Sequence, residues 1–140
     1  MWHNHYHDRL AAWVDLRNRC QGLELAQSLS EINHWWFDAP WKPYYLHWDD
    51  MATWPDPWQL LDDNHYCDLA RALGMLYTID LMDRSDITTC EIAETDRGNL
   101  VLVDEGKYIL NWAAGELLNI QSQTIIIKRR TKQPTKRAYK

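Results

Sequence analysis

Three kinds of residue in this chain can do chemistry near neutral pH: a thiol, several imidazoles and clustered carboxylates. Cys67 stands in Tyr66-Cys67-Asp68-Leu69-Ala70-Arg71, inside the longest apolar-periodic stretch. As a thiolate it would be a nucleophile, and such a nucleophile needs a nearby imidazole to activate it. The histidines are His3, His5, His7, His34, His47 and His65, and all precede Cys67. His47 is the first candidate for its partner and His34 the second. The competing reading is a small buried hydrophobe with no reaction attached.

The run His3-Asn4-His5-Tyr6-His7-Asp8 places imidazoles at alternate positions, and on a helix His3 and His7 share a face. A specific metal site also needs partners that fix the ligands, and chain ends seldom supply them. No metal ion and no cofactor is therefore expected. The acids Asp49, Asp50, Asp56, Asp62, Asp63 and Asp68 match no calcium-loop spacing, and several sit where they suit the N-terminal dipole of a helix. No glycine-rich phosphate loop, Gly-x-Ser-x-Gly elbow or His-Glu-x-x-His motif is present.

The elements that must position Cys67 read as follows. Trp54–Met82 predicts a central helix with Asp56 as N-cap, Pro57 at the first turn and Gln59 three residues on. Leu61, His65, Leu69, Leu73 and Leu76 recur at spacings of four and three and form its buried face. Gly74 weakens the interior by about 1 kcal/mol unless another segment packs closely on it, and is the expected place for a break. Upstream, 5–20 and 23–37 predict two further helices. In the first, Leu10, Trp13 and Val14 face the core, and Asp8, Arg9, Asp15 and Arg17 face water. Between them and the central helix, prolines 40, 43, 55 and 57 forbid regular structure. The loop carries Trp41, Trp48, Trp54, Trp58, Tyr44 and Tyr45, close behind Trp35 and Trp36, and reads as an aromatic strap over the helices.

Downstream the period changes to two. Short strands are expected over 87–95, 100–103, 108–112, 117–120 and 124–127, with turns at 96–99 and 104–106. The fold class is α+β: N-terminal helices and a long central helix on a small antiparallel meander. The 140 residues carry a net charge of −5, yet all 20 acids precede position 128. Lys128, Arg129, Arg130, Lys132, Lys136, Arg137 and Lys140 follow it without an acid. Residues 1–127 thus read as one acidic globular domain, and 128–140 as a basic tail that is disordered alone. Nine Trp and seven Tyr stand against one Phe, a bias that suits interfaces. Cys20, Cys67 and Cys90 form no paired spacing, so free thiols in a reducing cytoplasm are expected. The sequence shows no signal peptide and no membrane span.

Two resemblances add to this. Tyr66-Cys67-Asp68-Leu69-Ala70-Arg71-Ala72-Leu73-Gly74-Met75 resembles the nucleophile helix of transglutaminase-like and papain-like proteins. Those families place a cysteine on a helix and follow it with an antiparallel sheet that carries the base. No histidine follows Cys67, so the base-bearing strand has no counterpart. Separately, residues 54–82 and Gly106-Lys107-Tyr108-Ile109-Leu110-Asn111-Trp112 resemble small proteins of marine contractile-tailed phages, which implies a virion or phage-encoded accessory protein made in a host cytoplasm. The leading expectation is then a non-enzymatic structural or adaptor subunit of a phage tail, baseplate or neck. It would dock on other virion proteins, or on another copy of itself, through Trp41, Trp48, Trp54 and the seven basic residues of the tail. The alternatives are a cysteine hydrolase or transferase using Cys67 with His47, and a nucleic-acid binder acting through the tail.

Overall fold

A computed structural model of the chain describes residues 2–113, 116–118 and 125–131. Four α-helices come first: α1, Tyr6–Gln21; α2, Leu25–Phe37; α3, Pro57–Asp63; and α4, Asp68–Met82. Five strands follow: β1, Cys90–Thr95; β2, Gly98–Val103; β3, Tyr108–Ala113; β4, Glu116–Leu118; and β5, Ile127–Thr131. They form one antiparallel sheet in the order β4-β3-β2-β1-β5. The α+β class expected from the sequence is the one observed.

The expected central helix is two helices. Asp56 caps α3 by accepting the Gln59 N–H at 2.8 Å, as its position before Pro57 requires. The break falls at Asn64, which adopts left-handed dihedrals (φ 58°, ψ 37°), a conformation asparagine tolerates better than most residues. The Asn64 Oδ1 then accepts the Trp2 indole N–H at 2.7 Å. His65, expected on the buried stripe, is consequently exposed. Gly74 does not break α4. A Cβ there would lie 2.6 Å from Trp36 Cζ3, so the helix keeps glycine to let that ring pass.

Trp36 and Trp13 explain much of the aromatic excess. Both are fully buried, and both donate their indole N–H to the Thr78 hydroxyl at 2.9 Å. That hydroxyl donates in turn to Gly74 O at 2.7 Å. Trp35 and Tyr66 close edge-on around Trp36, and Trp2 packs on it at a tilt. Two details of α1 differ from expectation. Val14 is exposed, whereas Arg9 is buried and donates to Leu61 O at 3.0 Å and Asn4 O at 2.9 Å. Its guanidinium caps carbonyls at the C-terminal end of α3, a role that outweighs the cost of burying a charge because several of its donors find acceptors.

The sheet packs Ile92, Val101, Val103 and Leu110 against the helices, while Ala93, Leu100, Leu102 and Ile109 form a smaller cluster on the other face with Trp112, Ile125 and Ile127. Strand β5 straddles the expected boundary at 127/128. Lys128–Thr131 are part of the sheet rather than of a free arm, because β1 offers acids to the arginines: Arg129 pairs with Glu94 at 3.0 Å and Arg130 with Glu91 at 3.0 Å. Cross-strand opposite charges of this kind stabilise an edge pairing. The remaining basic positions expected to meet a partner, Lys132, Lys136, Arg137 and Lys140, lie outside the described residues.

The strap, residues 38–56, is stitched down along its length. Trp41 bridges to Tyr66, with Lys42 N–H donating to Tyr66 O at 3.0 Å and Tyr66 N–H to Pro40 O at 3.2 Å. The Tyr45 hydroxyl donates to Asp63, and Tyr77 donates to Pro55 O. Burial and the neighbouring Asp63 carboxylate both hold the Tyr45 phenol well above its usual pKa, so it stays a donor. A 3₁₀ turn, Trp48–Thr53, completes the strap.

Candidate functional site

The site begins at the N-terminus of α4. Cys67 is not inside a helix, as its sequence neighbourhood suggests, but is the N-cap, with extended dihedrals. Its sulfur accepts the Ala70 N–H at 3.4 Å from within the first turn, and the Leu46 N–H at 3.5 Å from the strap. The residue is 5% exposed, and that opening faces a cleft of about 430 Å³ between strap and sheet. His47 and Trp48 of the strap line the cleft, as do Asn99 of β2, Glu94 of β1 and Arg129 of β5. His47 thus shares the cleft with the thiol. His34 is exposed on α2.

Asp68 joins the helix end to the sheet. One carboxylate oxygen accepts the Asn99 backbone N–H at 2.6 Å, and the other accepts Asn111 Nδ2 at 3.1 Å. Gly98 precedes Asn99 with φ +100°, and a Cβ there would lie 3.0 Å from the Asp68 carboxylate. Asn111, buried in β3 at φ 69°, also donates to Asn99 O at 2.7 Å and accepts Arg71 Nε at 2.7 Å. The backbone of Asn111 is anchored by Asn33 of α2, whose Oδ1 accepts its N–H at 2.9 Å. Burial lowers the Arg71 pKa while Asp68 raises it, and the guanidinium stacks on Phe37 with 3.9 Å to the ring centroid. Every buried polar group named in this cluster has a partner, so the corner around Cys67 is built rather than incidental.

Sequence reasoning found Cys67 and His47 and missed Asn99, Asn111 and Arg71. A signal was present: Asn111 interrupts the apolar strand Tyr108-Ile109-Leu110-Asn111-Trp112, and a polar side chain on such a strand must find a buried partner. Of the expected partner-binding aromatics, Trp48 is buried over the cleft, Trp54 is half-buried against the Trp48 ring, and Trp41 is 60% exposed at the cleft edge. Arg129 is engaged within the chain, bonding Asp49 and Glu94 and lying 5.2 Å from the Trp48 ring centroid. Among the described residues, no cluster of three or more metal-ligating side chains occurs, and no helix is long and apolar enough to cross a membrane. Of the chain-end histidines, His5 is the N-cap of α1 and His7 lies in its first turn.

The fold thus sets a helix-capping thiol beside a cleft whose other wall is an antiparallel sheet. No family model matches the chain, and no curated protein matches it in sequence. In structure it is similar to LapG of Legionella pneumophila, a bacterial cysteine protease. The TM-score is 0.73 at 12% identity, over 92% of this chain and 77% of LapG. This likeness of fold overturns the expectation of a non-enzymatic structural or adaptor subunit. The docking expectation leaned on a free cationic arm and on surface tryptophans. Arg129 and Arg130 are instead paired inside the sheet, and Trp48 roofs the cleft.

Proposed function

We propose that the protein is a cysteine hydrolase or acyltransferase, with Cys67 as nucleophile and His47 as the imidazole that takes and returns the proton. The observation that carries this reading is the Cys67 sulfur at the N-terminus of α4, open to a cleft that His47 also lines. In the reaction, Sγ attacks a carbonyl carbon and the S–C bond forms. The thiol proton passes to His47, and the leaving group departs with that proton. Water or an amine then releases the acyl group. The α4 N-terminus and the Leu46 N–H supply the positive potential against which the carbonyl oxygen gathers charge. The fold likeness to LapG supports the assignment, and β2 presents Asn99 to the same cleft.

The test is acylation by p-nitrophenyl acetate, followed by mass spectrometry of the intact protein and release of nitrophenolate. Acyl transfer to Cys67 is expected, abolished by Cys67→Ala and slowed about 10²–10⁴-fold by His47→Ala, the range a general base contributes. A Cys67→Ala variant that releases nitrophenolate as fast as the native protein would remove the thiol from the chemistry.

A further inference from the structure

Resting on that reading, we propose that Asn99 is a positioning residue. It clamps the strap through Trp48, and so holds His47 at the cleft in place of a base on the sheet. The strap around His47 is fixed on both sides. Immediately before it, the Leu46 N–H meets the Cys67 sulfur. Immediately after it, Trp48 Nε1 donates to Asn99 Oδ1 at 2.7 Å. The carbonyl of His47 itself accepts the Trp54 indole N–H at 2.9 Å and the Asp50 N–H at 3.2 Å. One residue further on, Asp49 is bonded by Arg129 at 3.2 Å, and the same guanidinium covers the Trp48 ring.

Asn99 is well suited to this task and unsuited to acid–base work. A carboxamide neither takes nor gives a proton at neutral pH, but its oxygen is a good acceptor for an indole N–H. Its backbone is rigid, because its N–H is held by Asp68 and its carbonyl by Asn111. The strand residue that lines the cleft with the thiol therefore serves as an anchor, and the strap brings the imidazole. That accounts for a nucleophile with every histidine upstream of it.

The acylation rate of Cys67 with p-nitrophenyl acetate, measured in a double-mutant cycle, tests the clamp. Asn99→Leu removes the acceptor at similar volume, and Trp48→Phe removes the donor and keeps a ring under Arg129. Each is expected to slow acylation about 10²-fold, the loss that a misplacement of about 1 Å brings. In either background His47→Ala should cost about 10²-fold less than in the native protein, because a mispositioned imidazole has already lost that part of its contribution. A merely structural role would lower thermal stability and leave the His47→Ala effect undiminished, and that additive result would overturn the clamp. If His47→Ala is silent in the native background while Cys67→Ala is not, the base assignment itself fails, and the clamp with it. Having two variants on opposite sides of one hydrogen bond keeps the test decisive if one of them does not fold.

Discussion

Gly98→Ala is the perturbation that most directly links the fold to the cleft. Gly98 opens β2 with φ +100°, a region that L-residues rarely adopt, and occupying it with alanine costs about 1–3 kcal/mol. The added Cβ would also stand 3.0 Å from Asp68 Oδ2. The carboxylate cannot swing away freely, because its two oxygens hold the Asn99 N–H and the Asn111 amide. Weakening a hydrogen bond to a charged group costs up to about 1.5–3 kcal/mol, and Asp68 is partly solvated, so the lower end applies. The combined destabilisation is about 2–4 kcal/mol. With a urea slope of about 1–3 kcal/mol per molar, the unfolding midpoint falls by about 1 M or more. Acylation of Cys67 should fall in the same variant under native conditions, because Asp68 is the first residue of α4 and carries the strand that bears Asn99. Gly22→Ala is the matched control. Gly22 has φ −90° and its Cβ would meet only Arg19 O at 3.9 Å, so it should shift stability by no more than about 0.5 kcal/mol. Equal midpoints for the two variants, with acylation intact in both, would refute the reasoning.

Three further outcomes are expected. Gly74→Ala should destabilise by about 1–3 kcal/mol in urea unfolding, because the Cβ overlaps a Trp36 ring pinned to Thr78. At an open helical site the same change stabilises by about 1 kcal/mol, so a raised midpoint would show that the ring yields. In alkylation followed by peptide mapping near neutral pH, Cys67 should label ahead of Cys20 and Cys90. Burial pushes both of those thiols up, with Asp80 and Glu91 adding to the effect at Cys90, so neither ionises until well above neutral pH. Last, the Asp86 carboxyl is held below its usual pKa by hydrogen bonding to Arg84, whose guanidinium also ties Cys20 O and Leu23 O at 2.9 Å. A depressed carboxylate stabilises above its unfolded pKa and loses that contribution as pH falls through the folded value. Asp86→Asn should therefore shrink the acid-side drop in melting temperature.

Much of the scaffold could be read from residue spacing, because apolar periods of three to four and then of two follow directly from what a helix or a sheet must bury. The Asp56-Pro57 start of α3 was readable for the same reason, as a local cap. What escaped was decided by single backbone states and by distant partners. Leu61, His65 and Leu69 keep helical spacing straight across the break at Asn64, so periodicity had no means of marking it. Arg9 looked like a solvent residue because two of its acceptors, the carbonyls of Leu61 and Asp62, lie more than fifty positions away. Arg129 and Arg130 looked like a loose cationic tail because the acids that make them a strand, Glu94 and Glu91, sit on β1. The site was half visible. Cys67 and His47 could be named from their chemistry. Asn99 could not, since it was hidden in what looked like a turn, and an asparagine shows its use only when the indole it receives is in place.

The bond between Arg129 and Asp49 joins residues 80 positions apart in the chain. During synthesis, the helices, the thiol and the strap all leave the ribosome before β5 does. One wall of the cleft arrives only with β5, and with it the guanidinium that steadies the tryptophan roof. A nascent chain would therefore carry the Cys67 thiol without the completed cleft around it, because the cleft closes only once β5 has paired with β1.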